Sequence, residues 1–112
     1  MQYMLFIAND PEAEPYDASQ DNIEDWVKEN DERGTRRDGD RLRPPADATL
    51  VRRRGGELLV TDGPFTESKE WIAGFDILMC ENLDEAIEIA GAHPMARFGR
   101  IEIRPFWDWT QD

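Results

Sequence analysis

Two stretches of this chain, residues 3–8 (YMLFIA) and 71–80 (WIAGFDILMC), are apolar at nearly every position rather than at every second one. Strands read this way when both faces of their sheet are covered. With 112 residues the chain makes one domain over 1–112, large enough to remove roughly two-thirds of its unfolded surface from water. Two helical segments in so short a chain cover one face of an antiparallel sheet and leave the other open. A second copy of the chain is the simplest cover for that open face, so the sequence predicts a homodimer.

The remaining elements follow from spacing and punctuation. Asn9-Asp10-Pro11 closes the first strand. Asp21 with Glu24 resembles a capping box, and Ile23, Trp26 and Val27 form a narrow apolar stripe, which predicts a helix over 19–33 stopped by Gly34. Leu42 is the one strong apolar anchor between Asp38-Gly39-Asp40 and Pro44-Pro45. Strand-like runs at 48–53 and 57–61 flank Gly55-Gly56 and read as a β-hairpin. Gly74 inside the long apolar run signals a bulge or a close backbone approach. Asn82 with Glu85 begins a second helix, whose apolar positions Leu83, Ala86, Ile87 and Ala90 repeat at helical spacing and which stops by Ala92, since His93 precedes Pro94. Residues 100–104 alternate polar and apolar as a last strand. The order β-α-β-(hairpin)-β-α-β is that of an α+β, ferredoxin-like split-βαβ sandwich with an inserted hairpin.

Charge narrows the function classes. The chain carries 25 acids against 13 bases, a net charge of -12, which argues against general nucleic-acid binding. The acidity is concentrated over 9–32, where Lys28 is the sole base, and is followed by an Arg-rich block over 33–54. That succession reads either as a partner surface or as a solvated helix face followed by a charged edge strand. No apolar run approaches the roughly 18 residues of a membrane span, and the start of the chain lacks the basic residues of a signal peptide. A single cysteine, Cys80, suits a reducing cytosol and a buried packing role. One His and one Cys do not make a His-rich metal site, so neither metal nor cofactor is expected.

Two places could carry chemistry. His93 is the only histidine and the natural proton shuttle near neutral pH, or else a residue that meets the carbonyls at a helix end. Asp62-Gly63-Pro64-Phe65 is either a stiff Asx-turn or a rigid mount that presents the Asp62 carboxylate to a cleft. Glu67, Lys69, Glu70 and Arg104 are charges that could converge on that cleft.

The string from Val60 to Glu70 (VTDGPFTESKE), with Gly74-Phe75 after it, resembles the signature of the DGPF proteins, a branch of the YCII-related family. The likeness extends to the opening strand, Trp26, Gly39 with Leu42-Arg43-Pro44, Ala48-Thr49-Leu50-Val51-Arg52, Asp84-Glu85-Ala86, His93-Pro94 and the ending at 99–105. It implies a dimeric α/β barrel in which two sheets pack face to face, and a bacterial cytoplasmic protein often encoded beside alternative sigma factors. The family has no established reaction. Its YCII relatives are regarded as enzymes with a His/Asp pair in a cleft. Carried over, Asp62 is the matching acid and His93 the candidate histidine. Lys69, Glu70 and Arg104, read from their charges rather than from the likeness, are the candidates to hold substrate.

Two functions follow as expectations. The first is acid/base chemistry on a small polar metabolite in a cleft of the homodimer, with His93 as general acid/base and Asp62 orienting it. The second is a non-catalytic ligand-binding or regulatory dimer, associated with sigma-factor signalling through the charged region over 9–54.

Overall fold

The computed structural model describes residues 1–63 and 71–110. Four strands form one antiparallel sheet: β1 (Gln2–Ala8), β2 (Arg36–Arg41), β5 (Ile72–Met79) and β6 (Arg100–Pro105), in the order β2-β5-β1-β6. β3 (Thr49–Arg54) and β4 (Glu57–Asp62) form a separate two-stranded sheet. The helices are α1 (Ile23–Arg33), α2 (Leu83–Gly91) and the short α3 (Met95–Phe98).

The apolar stretches become the two central strands, as their two-sided pattern requires. Tyr3, Leu5 and Ile7 of β1 and Leu78 of β5 are buried in one cluster with Trp26 of α1 and Ala86, Ile89 and Ala90 of α2. Both long helices therefore pack on one face. Met4, Phe6, Phe75 and Ile77, on the alternate positions, are only half-buried. Cys80 joins the core, where burial raises its thiol pKa. The sheet stays open, so the barrel implied by the family likeness is not closed within one chain's described residues.

Local details differ from the sequence reading in instructive ways. Instead of one helix from 19, a 3-10 turn at Ala18–Gln20 precedes α1. Asp21 does not pair with Glu24 in a capping box; its Oδ1 accepts from the Ile23 N–H at 3.1 Å and its Oδ2 accepts from the Tyr16 hydroxyl. Asn82 does cap α2, accepting from the Glu85 N–H at 2.9 Å. Gly55 and Gly56 turn the hairpin with φ of 57° and 80°, the left-handed pair that a two-residue turn demands. The β1–β5 register slips between Ile7, opposite Gly74, and Ala8, opposite Ile72, leaving Ala73 as the extra residue. β2 (RRDGDR) has no apolar residue at all. It is a strand because β5 offers it hydrogen bonds, and its charges blunt the sheet edge.

Candidate functional site

The pleat of β5 builds the site. Gly74, Asp76 and Leu78 are buried on the helix-covered face, and at the middle position the chain places a carboxylate where its neighbours are apolar. Asp76 is 6% exposed. A buried charge is costly unless it is paired and hydrogen-bonded. Arg36, opposite Leu78 in the neighbouring strand, supplies the partner: its Nε donates to Asp76 Oδ1 at 2.8 Å. The same guanidinium donates from Nη2 to the Gly39 carbonyl at 2.9 Å and from Nη1 to Asp31 Oδ1 at 3.1 Å, so its orientation is held from three sides.

Gly39 lies directly across from Asp76 and makes room for this pair. A Cβ there would collide with Asp76 Oδ1 and stand 2.8 Å from both Arg36 Nη2 and the Phe75 carbonyl. The glycine is required by close approach of other groups rather than by its own backbone conformation.

His93 enters from the opposite wall. α2 has ended, and the His93 N–H donates to the Ala90 carbonyl while Pro94 starts α3. The imidazole Nδ1 accepts the Met95 N–H at 2.9 Å, and the ring packs in a T-shaped contact with Trp26, centroids 4.6 Å apart. Trp26 is itself fixed, its indole N–H donating to the Ile89 carbonyl at 2.9 Å. Asn30 donates to the Trp26 carbonyl, and Thr35 donates to Asn30 Oδ1 at 2.8 Å, which ties this wall to the entry of β2. The other ring nitrogen, Nε2, lies 3.8 Å from Asp76 Oδ2.

Electrostatics divide the pair. Burial pushes His93 down from 6.5 to about 4; Arg36 adds to this and the charge of Asp21 opposes it. Burial raises the Asp76 carboxyl, and its bonds to Arg36 only partly offset that. Near neutral pH the imidazole is therefore uncharged, and the carboxylate is more basic than an exposed one.

Both groups line a cavity of about 570 Å³, a size suited to a small molecule. Ile7, Ile23 and Val27 contribute apolar wall, while Tyr16, Asp21 and Arg41 add polar groups at its margin. Among the described residues no group of three or more His, Cys, Asp or Glu stands close enough to hold a metal ion, and no helix is long and apolar enough to cross a membrane.

Of the residues singled out from sequence, His93 lines this cavity and Asp62 and Arg104 do not. Asp62 is exposed at the end of β4, opposite Thr49, and the next residue donates its N–H to the Ala48 carbonyl at 2.7 Å. Arg104 lies on exposed β6, paired with Glu102 at 3.0 Å and 5.4 Å from the Phe6 ring. Pro64, Phe65, Glu67, Lys69 and Glu70 lie outside the described residues. The acid facing His93 is Asp76, which the sequence reading passed over, as it did Arg36; Gly39 was noted for its place in the family likeness but not for this site. A signal was present: Asp76 is the one charge inside the apolar run IAGFDILM, at a position whose neighbours two residues away are inward-facing.

The family model for the YCII-related domain matches residues 1–110 of the chain. An uncharacterised protein of Rhizobium meliloti (strain 1021) is 42% identical over 69 residues, a segment covering 58% of this chain and 54% of that protein. The chain thus spans about half the length of the curated relative it matches.

Proposed function

The chain belongs to the YCII-related family, and from that premise we propose that it carries out acid/base chemistry on a small polar metabolite, with Asp76 and His93 as the working pair. One observation carries the reading: Asp76 Oδ2 and His93 Nε2 stand 3.8 Å apart, each buried, in the wall of a single cavity. That spacing exceeds a direct hydrogen bond and leaves each group available to a third one placed between or beside them. Arg36 and Gly39 position the acid, and Trp26 positions the imidazole. In this reading Asp76 takes the part that the family likeness lent to Asp62.

The reading extends to a homodimer with a ferredoxin-like subunit. The fully antiparallel order β2-β5-β1-β6 supports that subunit topology. The half-buried face with Met4, Phe6, Phe75 and Ile77 at its centre has Asp38 and Asp40 along one edge and Arg100, Glu102 and Arg104 along the other. Two copies related by a two-fold axis parallel to the strands bring opposite edges together over an apolar middle. Sedimentation of the full chain is expected to give twice the monomer mass of 13.0 kDa.

Titration of the ¹⁵N-labelled protein with a library of small polar fragments tests the site. Amide shifts clustered at Gly39, Gly74, His93 and Met95 are expected. Shifts confined to the hairpin would sink the reading. A regulatory dimer is the second reading, favoured by that hairpin, where Val51, Leu58 and Val60 are 61%, 55% and 56% exposed beside Arg52, Arg53 and Arg54.

A further inference from the structure

The hydrogen bond at the back of the imidazole decides what its front can do. An imidazole nitrogen that accepts a hydrogen bond carries no proton, and a backbone amide can only donate. His93 Nδ1 accepts from the Met95 N–H at 2.9 Å, so in the neutral ring the proton resides on Nε2, the nitrogen that faces Asp76. A neutral Nε2–H has no lone pair with which to take a proton from a substrate. It can donate a hydrogen bond to an oxygen on which negative charge develops.

Asp76 has the complementary property. Arg36 occupies Oδ1, while Oδ2 is the oxygen on the His93 side. The carboxylate is thus anchored by one oxygen and presents the other. Resting on the reading of this cavity as a reaction site, we infer that Asp76 is its base and that His93 serves as a neutral hydrogen-bond donor through Nε2, a division that selects a small carbonyl compound with an acidic hydrogen on the neighbouring carbon. Asp76 Oδ2 takes that hydrogen as a proton. The electrons of the broken C–H bond form a carbon–carbon double bond, and the carbonyl π pair moves onto oxygen, giving an enolate that accepts the Nε2–H. Asp76 passes that proton to solvent and takes up another, and its delivery to the same carbon regenerates the carbonyl compound, so hydrogen is exchanged with no oxidant or reductant. The lowered histidine pKa and the raised carboxyl pKa agree with these roles. The charged groups facing the ring are Asp76 and Arg36 from the sheet and Asp21 from the turn before α1, with Trp26 contributing an uncharged ring.

The chain has a single histidine, so its imidazole nitrogens give one unambiguous pair of resonances. Long-range ¹H–¹⁵N correlation on the full-length protein at pH 7 is expected to show Nε2 protonated and Nδ1 as an acceptor. A ring protonated on Nδ1, or charged at pH 6, overturns the assignment of His93 whatever the activity. The second measurement is protein-catalysed exchange of α-hydrogens into D₂O for hydroxyacetone, dihydroxyacetone and cyclopentane-1,2-dione. Exchange at least about 1,000-fold above buffer is expected, lost about 100-fold in Asp76→Asn and about tenfold in His93→Gln, whose amide still donates. Equal losses in the two variants overturn the division of roles. No exchange with any of the three overturns the substrate class. Exchange untouched by either variant, with the predicted tautomer intact, removes instead the reading of the cavity as the reaction site.

Discussion

The four-stranded sheet and the β3–β4 hairpin each carry an aspartate marked by its setting, and the two acids have opposite fates. Asp62 ends a strand that has one neighbour, and it is exposed. Asp76 lies in a strand paired on both sides, beneath the helix layer, and it is buried against Arg36 and near His93. The motif around Asp62 is the more conspicuous in the sequence. The environment around Asp76 is the one that alters the chemistry of a carboxyl group. Cover, rather than motif, is what makes a buried carboxyl group more basic.

Four tests sharpen or break that contrast. The largest effect is expected in the core beneath the site. Leu78 is fully buried, so Leu78→Ala should lower unfolding stability by about 4 kcal/mol. Val60→Ala in the exposed hairpin should change it by less than about 0.5 kcal/mol. Urea midpoints measured side by side decide this, and similar losses would mean that the hairpin is covered in solution.

Acid comes next. Unfolded, His93 titrates near 6.5; folded, it titrates at about 4. Between those values the unfolded chain binds more protons, so stability is full above pH 6.5 and falls by about 3 kcal/mol as pH drops toward 4. Asp76 works in the other sense, since its raised folded pKa returns stability as pH falls through that value. Unfolding of His93→Gln across the same window should therefore show a weaker decline than the parent, and an unchanged decline would place the titration elsewhere.

Gly39→Ala drives a methyl group into Asp76, Arg36 and the Phe75 carbonyl, with an expected loss of about 2 kcal/mol. It should also displace the His93 ring resonances, because the acid facing them must move. Smallest of all, Asp62→Asn is expected to cost under about 0.5 kcal/mol and to leave fragment shifts at Gly39 and His93 in place. Loss of those shifts would return Asp62 to the site.

Some elements were legible because a local rule and the tertiary environment agree. The apolar runs of β1 and β5, the Asn82 cap of α2 and the Gly55-Gly56 turn all took the conformation their residues favour. The element order called for a strand where β2 lies, but its bounds were hidden because its identity as a strand comes from the edge of β5 rather than from any apolar period of its own. Asp76 was read as an interruption of a hydrophobic run, and its partners are 40 residues earlier and 17 residues later in the chain.

By itself, then, the sequence determined which segments must be covered, where the chain turns, and that one histidine stands at the end of a helix. Those are consequences of side-chain period and backbone geometry, which act over a few residues. Tertiary structure alone decided that Arg36, Gly39, Asp76 and His93 share one cavity. The reason is physical: pairing of β2 with β5 and packing of α2 over the sheet bring these residues together, and only there does burial set one proton on the imidazole and make the carboxylate a stronger base.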